Sequence, residues 1–341
     1  MGGPLGTRSL SRRRFVQGAS AAGLGLLVGC ASPLPLGIRQ SARVPVVGYL
    51  VFGSAESTRT LFDSFDKGLR EYGWVDGENI TVVRRFGDGD VERVGTLAAD
   101  LVGLPVDVLV AHAVATPLAR RVTDQIPIVM VGGVDPVAQG LVASLAHPGG
   151  NVTGLSILER QLTAKRLELL HEGVPSMNRV AVVWSGTNST VAMAFQDAQM
   201  AGSALHVEVQ SVGLRTQDQL ESVLDTIAES GAQGICVLSD SQMRVPTGRI
   251  ARGALQRGLP TMLTDGQGIQ PGGFMAYGPN LPATFRRAAY YVDRILKGDK
   301  PADLPVEQPT TFDFVINLKT AQALGLTIPQ HVLLQATEII Q

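Results

Sequence analysis

The chain has 341 residues, 45% of them hydrophobic, and carries 29 Lys+Arg against 30 Asp+Glu. A formal charge of −1 gives none of the basic surplus that nucleic-acid binding requires, and two cysteines cannot build a disulfide framework. At this length a folded chain buries about 75% of the surface its unfolded form exposes, enough for two lobes.

The first thirty residues read as a targeting segment. Ser11-Arg12-Arg13-Arg14-Phe15-Val16-Gln17 has the form of a twin-arginine export signal, followed over 18–29 by a stretch rich in Gly, Ala and Leu. That stretch falls short of the roughly 20 apolar residues that span a bilayer. Leu27-Val28-Gly29-Cys30 resembles a bacterial lipobox, which makes Cys30 the lipidated first residue of the mature chain. A plain cleaved signal with an incidental Cys30 is the alternative. Removing residues 1–29 takes away Arg8, Arg12, Arg13 and Arg14 and no acid, so the mature chain is mildly acidic. Residues 30–43 read as a tether.

From residue 44 onward one βαβαβαβ unit occurs twice. Its apolar runs are 44–51, 80–85, 106–111 and 127–131 in the first copy, and 179–184, 206–212, 234–238 and 260–263 in the second. The middle runs keep a common offset: Ile80 to Val207 and Val106 to Gln233 are both 127 positions.

In the first copy a helix begins near Ser57 or Thr58 and carries Phe62, Phe65, Leu69 and Tyr72 on one face before Gly73 stops it. A second runs over 91–101 with Val94, Leu97, Ala98 and Leu101 inward. Thr116-Pro117 reads as an N-cap followed by a proline at the first helical position, opening a third. A connecting helix over 159–171 leads into the second copy. Its helices open at Asn188/Ser189, Thr216 and Pro246. A strong helix over 285–296 then ends at Lys297-Gly298 and is expected to return to the first lobe.

The pattern predicts an α/β protein with two doubly wound parallel-sheet lobes joined by a three-segment hinge. The expected crossings are 152–155, 275–278 and the stretch around 309–313. The N-terminal lobe is then 44–152 plus 278–308, and the C-terminal lobe 153–277 plus 309–341. Two such lobes imply a cleft, bounded by the loops at the carboxyl ends of the strands.

Those loops supply the candidate ligand contacts. From the first lobe come Ser54, Ser57, Ala115, Thr116 and Asp135; from the second, Ser185, Asn188, Asp240, Asp265 and Tyr277. Helix N-termini and hydroxyls suit a carboxylate, and the aspartates suit an ammonium, so the set fits an amino-acid-like zwitterion. Each has a plainer competitor. Ser57 and Thr116 serve equally as helix caps, Asp135 before Pro136 as a turn former, and Tyr277 as packing. His112 reads as a satisfied residue at the core edge, and Cys236, in an apolar run, as a buried thiol. The five histidines are scattered without metal-ligand spacing, and no nucleophile elbow or phosphate loop occurs, so neither catalysis, metal nor cofactor is indicated.

Longer blocks carry a resemblance. Asp135-Pro136, then Gly140-Leu141-Val142-Ala143-Ser144-Leu145-Ala146-His147-Pro148-Gly149-Gly150-Asn151-Val152-Thr153-Gly154-Leu155-Ser156, is similar to the central signature of ABC-transporter substrate-binding proteins of the tryptophan-binding-like type. Lys165-Arg166-Leu167-Glu168-Leu169-Leu170, Tyr277-Gly278-Pro279-Asn280, and Leu304-Pro305-Val306-Glu307-Gln308-Pro309-Thr310 resemble later blocks. The chain departs from the pattern at Ser185-Gly186-Thr187-Asn188, at Asp265-Gly266-Gln267-Gly268 and at His147. The resemblance implies a periplasmic-binding-protein fold of the first type. It also implies a monomer that binds an amino-acid-like solute, with aromatic amino acids the leading case, and docks on an ABC permease with its ATPase, here held to the membrane by a lipid anchor. An enzyme on the same fold and a sensory binding module are the alternatives.

Overall fold

The alternation of short apolar runs with amphipathic stretches becomes, in a computed structural model, two sheets each covered by helices on both faces. The structure describes residues 43–341 apart from 158, 187–188, 240–246, 267–268 and 271. The signal segment, Cys30, Asn188 and Asp240 lie outside the described residues.

The first sheet holds β1 (Val46–Val51), β2 (Thr81–Phe86), β3 (Val108–His112), β4 (Ile128–Val134) and β5 (Val152–Ile157) in the order β2-β1-β3-β4-β5. Every pairing is parallel. Such strands are buried on both faces, which is why they read as near-continuous apolar runs rather than alternating ones. On one face α1 (Arg59–Glu71) packs Phe65 and Leu69 beside Phe285, Ala288 and Val292 of the late helix α8 (Leu281–Leu296). On the other, α2 (Val91–Val102) and α3 (Ala115–Val122) bury Val94, Ala98, Leu101 and Ala119. The side chain of Asp90 caps α2, accepting from the backbone N–H of Glu92 and Arg93.

The second sheet contains β6 (Arg179–Trp184), β7 (Glu208–Gly213), β8 (Ile235–Val237), β9 (Thr261–Leu263), β10 (Met275–Pro279), β11 (Phe312–Asn317) and β12 (Glu338–Ile340). Their order is β12-β11-β10-β9-β8-β6-β7, parallel except for the β10–β11 pair. One face carries α4 (Glu159–Gly173) and α5 (Ser189–Ala204), with Leu167, Leu170, Ala194 and Ala198 in the core. The other carries α6 (Leu220–Glu229) and α7 (Thr247–Gln256), with Leu224, Ile227, Ile250 and Ala254. Cys236 is fully buried.

Several boundaries differ from the sequence reading. α8 starts a turn earlier than residue 285: Asn280 caps it by accepting from Ala283 N–H, and Pro282 sits in the first turn, where its missing N–H costs nothing. α3 begins at Ala115, so Thr116 is not its cap. A 3-10 turn, Gln217–Gln219, precedes α6. Residues 152–155, expected to cross between lobes, belong to β5 and pair with β4 throughout.

Among the described residues no helix is long and apolar enough to cross a membrane.

Candidate cleft between the two lobes

The chain changes lobes at the carboxyl ends of parallel strands. β5 ends at Ile157 and α4, part of the second core, begins at Glu159; β10 ends at Pro279 and α8, part of the first core, begins at Leu281. Links this short require the carboxyl-end poles of the two sheets to lie next to each other. In both sheets the strand order also reverses there, between β1 and β3 and between β6 and β8, the positions where open α/β sheets hold ligands.

A third passage is stitched to the other two. Glu307 N–H donates to Gly154 O (2.9 Å) and its carbonyl accepts from Ser156 N–H (2.9 Å). Asn280 N–H donates to Thr311 O (3.2 Å), and Asn280 Nδ2 to Asp313 Oδ1 (3.1 Å). Arg287 of α8 grips the Glu307 carboxylate through both Nε (2.9 Å) and Nη2 (2.6 Å). Three linked passages favour a hinge with one dominant direction of motion.

Backbone strain gathers at the same pole of the first lobe. Among the described residues, Asp88 (φ 52°), Ala113 (φ 48°) and Asp135 (φ 40°) are non-glycine residues in the left-handed region, and they follow β2, β3 and β4 in turn. Alanine has no side-chain hydrogen bond to offset that conformation, so Ala113 is the costliest of the three. Asp135 offsets part of its cost by accepting from Ala138 N–H at 3.1 Å.

The sequence-derived candidates fall into distinct groups. Ser54 and Ser57, after β1, bond to each other (Oγ to Oγ, 3.1 Å), with Ser54 half-buried and Ser57 exposed. Ala115 and Thr116 are fully buried, and the Thr116 hydroxyl donates to Ala111 O at 2.9 Å; that side chain locks the β3–α3 turn. Asp135 is half-buried. In the second lobe Ser185 is buried at the end of β6, and Asp265 is half-buried after β9 with Thr264 Oγ1 3.4 Å from its Oδ2. Tyr277 lies within β10, its ring stacked on Phe312 (5.9 Å, 22°) and edge-on to Phe314. These contacts account for the packing side of its two readings.

Two residues without a place in the sequence-derived set stand at this pole. Arg166 of α4 is 1% exposed, and its Nε donates to Tyr277 O at 2.7 Å. It occupies the row Leu162, Arg166, Leu170, spaced by four and all buried, so an arginine in an apolar helix stripe was the available signal. His112 ends β3 half-buried, its ring edge-on to Phe285 at 5.1 Å, and burial lowers its pKa to about 4. No protein hydrogen bond to either ring nitrogen occurs among the described residues, and neither nitrogen is buried without a partner, so both stay within reach of solvent.

Among the described residues no three His, Cys, Asp or Glu side chains come together to hold a metal ion.

The family model for ABC transporter substrate binding proteins matches residues 46–340. The chain belongs to that family. This substrate-binding protein is also similar to a tyrosine-binding protein of Clostridioides difficile strain R20291, at 24% identity over 265 residues, covering 77% of this chain and 75% of the relative. Among solved structures it resembles an ABC domain from Streptococcus pneumoniae in complex with L-Trp (25% identity, TM-score 0.80, 87% of this chain and 99% of that one). It also resembles a conserved domain protein of Vibrio cholerae O1 biovar El Tor (26% identity, TM-score 0.81, 87% and 100%). The substrate-binding protein is therefore the solute-binding component of an ABC transporter, and its role is binding rather than turnover. The two-lobed fold is that of the periplasmic binding proteins.

Proposed function

We propose that this substrate-binding protein is an exported lipoprotein, anchored through Cys30, that captures an aromatic amino acid between its lobes and presents it to an ABC permease with its ATPase. The observation that carries this reading is topological. Both lobe changes occur at the carboxyl ends of parallel strands, so the strained β2, β3 and β4 loops stand opposite the β6 and β9 loops. A tyrosine-binding relative and a structural neighbour in complex with L-Trp support an aromatic amino acid as the ligand class.

Chemistry is apportioned across the gap. Strand-end N–H groups with Ser54 and Ser57 suit the ligand carboxylate, whereas Asp135 and Asp265 suit its ammonium. Ser185 adds to the second wall, while Asn188 and Asp240, candidates from the sequence, lie outside the described residues. Ligand touching both walls stabilises the closed arrangement in proportion to its preference for it, and the closed monomer is the form that docks on the permease.

Mass spectrometry of the small molecule that co-purifies with native protein, followed by calorimetry with that compound, tests the ligand class. A one-to-one aromatic amino acid is expected. If neither amino acids nor related carboxylates bind or raise the melting temperature, the reading fails. The anchor has its own test: Cys30→Ser should move the protein from the membrane fraction to the soluble one, and an unchanged distribution would refute lipidation.

A further inference from the structure

One half-buried imidazole stands at this pole with its nitrogens unpartnered by protein among the described residues and within reach of solvent. His112 closes β3 at the switch between β1 and β3, half-buried, beside the strained Ala113. Its surroundings are apolar on the protein side. Phe285 lies edge-on at 5.1 Å, and the position of a hypothetical Cβ on Gly132 would be 3.3 Å from Ile157 Cδ1 and 3.6 Å from the imidazole. Gly132 has φ +72° and is itself buried, so the neighbouring strand end packs closely along the Cδ2–Nε2 edge of His112. An acceptor nitrogen is therefore left to water or to a bound molecule.

We propose that His112 is the specificity residue of the cleft: its unpaired imidazole nitrogen accepts a hydrogen bond from the hydroxyl or N–H carried on the ring of a bound aromatic amino acid. This rests on the aromatic amino-acid reading of the site and adds which protein group recognises the side chain.

The wall decides which end of the ligand it meets. Burial that keeps an imidazole uncharged penalises an ammonium or carboxylate at the same spot, so the zwitterionic end goes to the serines and aspartates. The ligand ring then faces His112, which the fully buried Phe285 backs from the core side. A neutral imidazole has one acceptor nitrogen, and both a phenol and an indole can donate to it. Phenylalanine cannot. A site built to hydrogen-bond a ring substituent rejects the analogue lacking it, because its own polar group is then left unpaired.

Calorimetric titration of L-tyrosine, L-tryptophan and L-phenylalanine into the unmodified protein, His112→Phe and His112→Gln reads this directly. In the unmodified protein, tyrosine or tryptophan should bind at least about tenfold tighter than phenylalanine. His112→Phe keeps a ring against Phe285 and should erase that ratio, weakening tyrosine and tryptophan and relieving the penalty on phenylalanine. His112→Gln should restore part of it. Equal binding of all three by the unmodified protein, or an undiminished ratio in His112→Phe, would overturn the proposal while leaving the amino-acid reading intact. Failure of all three to bind the unmodified protein would overturn both.

Discussion

Arg166 Nε donates to the carbonyl oxygen of Tyr277 across 2.7 Å, joining the first helix of the second lobe to the strand that leads back to the first. The arginine is fully buried, and its Nη2 lies 3.7 Å from where a Cβ on Gly278 would stand. Arg166→Met removes the donor and leaves a buried carbonyl short of a partner, at a cost of about 1–3 kcal/mol. Urea unfolding should show that loss. Arg166→Lys should not repair it, since an ammonium lacks the planar fork that places Nε. Stability equal to the unmodified protein would show the contact to be incidental.

Gly278 and Gly95 should respond to alanine with opposite signs. A Cβ on Gly278 would sit 1.9 Å from Thr264 O, a backbone atom at the end of β9, so one strand or the other must move. Gly278→Ala is expected to cost about 1–3 kcal/mol and to weaken ligand binding, because the displaced segment adjoins the passage at Asn280. Gly95, within α2, has open space around its Cβ position. Gly95→Ala should stabilise by about 0.5–1 kcal/mol with no effect on binding. Melting temperatures of the two variants side by side make the comparison.

Acidification should weaken the fold partly through His112. Burial holds its folded pKa at about 4, below the value of about 6.5 in an unfolded chain. Between those values the unfolded chain takes up a proton that the native ring refuses, so stability is lost as pH falls from about 6.5 towards 4 and levels off below. The loss from this residue is roughly 1–3 kcal/mol for a half-buried group. Unfolding midpoints at pH 7.5 and 4.5 should therefore differ more in the unmodified protein than in His112→Phe. Equal differences would mean that the imidazole is protonated as easily folded as unfolded.

Much of the architecture was legible because its signals are local. Apolar runs bounded by turns gave the strands of both sheets, and the Phe62, Phe65, Leu69 spacing gave α1 almost to its ends. Features set by partners distant in sequence were not. Residues 152–155 read as a crossing because they are short and contain Gly154, yet pairing with β4 makes them strand. Thr116-Pro117 looked like a cap and a first helical residue; the Ala113 turn instead starts α3 at Ala115 and turns the Thr116 hydroxyl inward. Proline at 282 hid the first turn of α8, since the same residue opens or breaks a helix depending on where the cap falls. Arg166 and His112 were given no site role for a common reason: a single polar residue gives no sign of whether its partner is protein, solvent or ligand.

Solute capture depends on two strand-end poles facing one gap that a ligand closes. Hydrogen–deuterium exchange with and without saturating L-tyrosine or L-tryptophan tests that most directly. Slowed exchange is expected together in 52–58, 112–116 and 132–136 of the first lobe and in 185–186 and 264–266 of the second, with the opposite strand ends unchanged. Protection confined to one lobe, or placed at the amino ends of the strands, would contradict it.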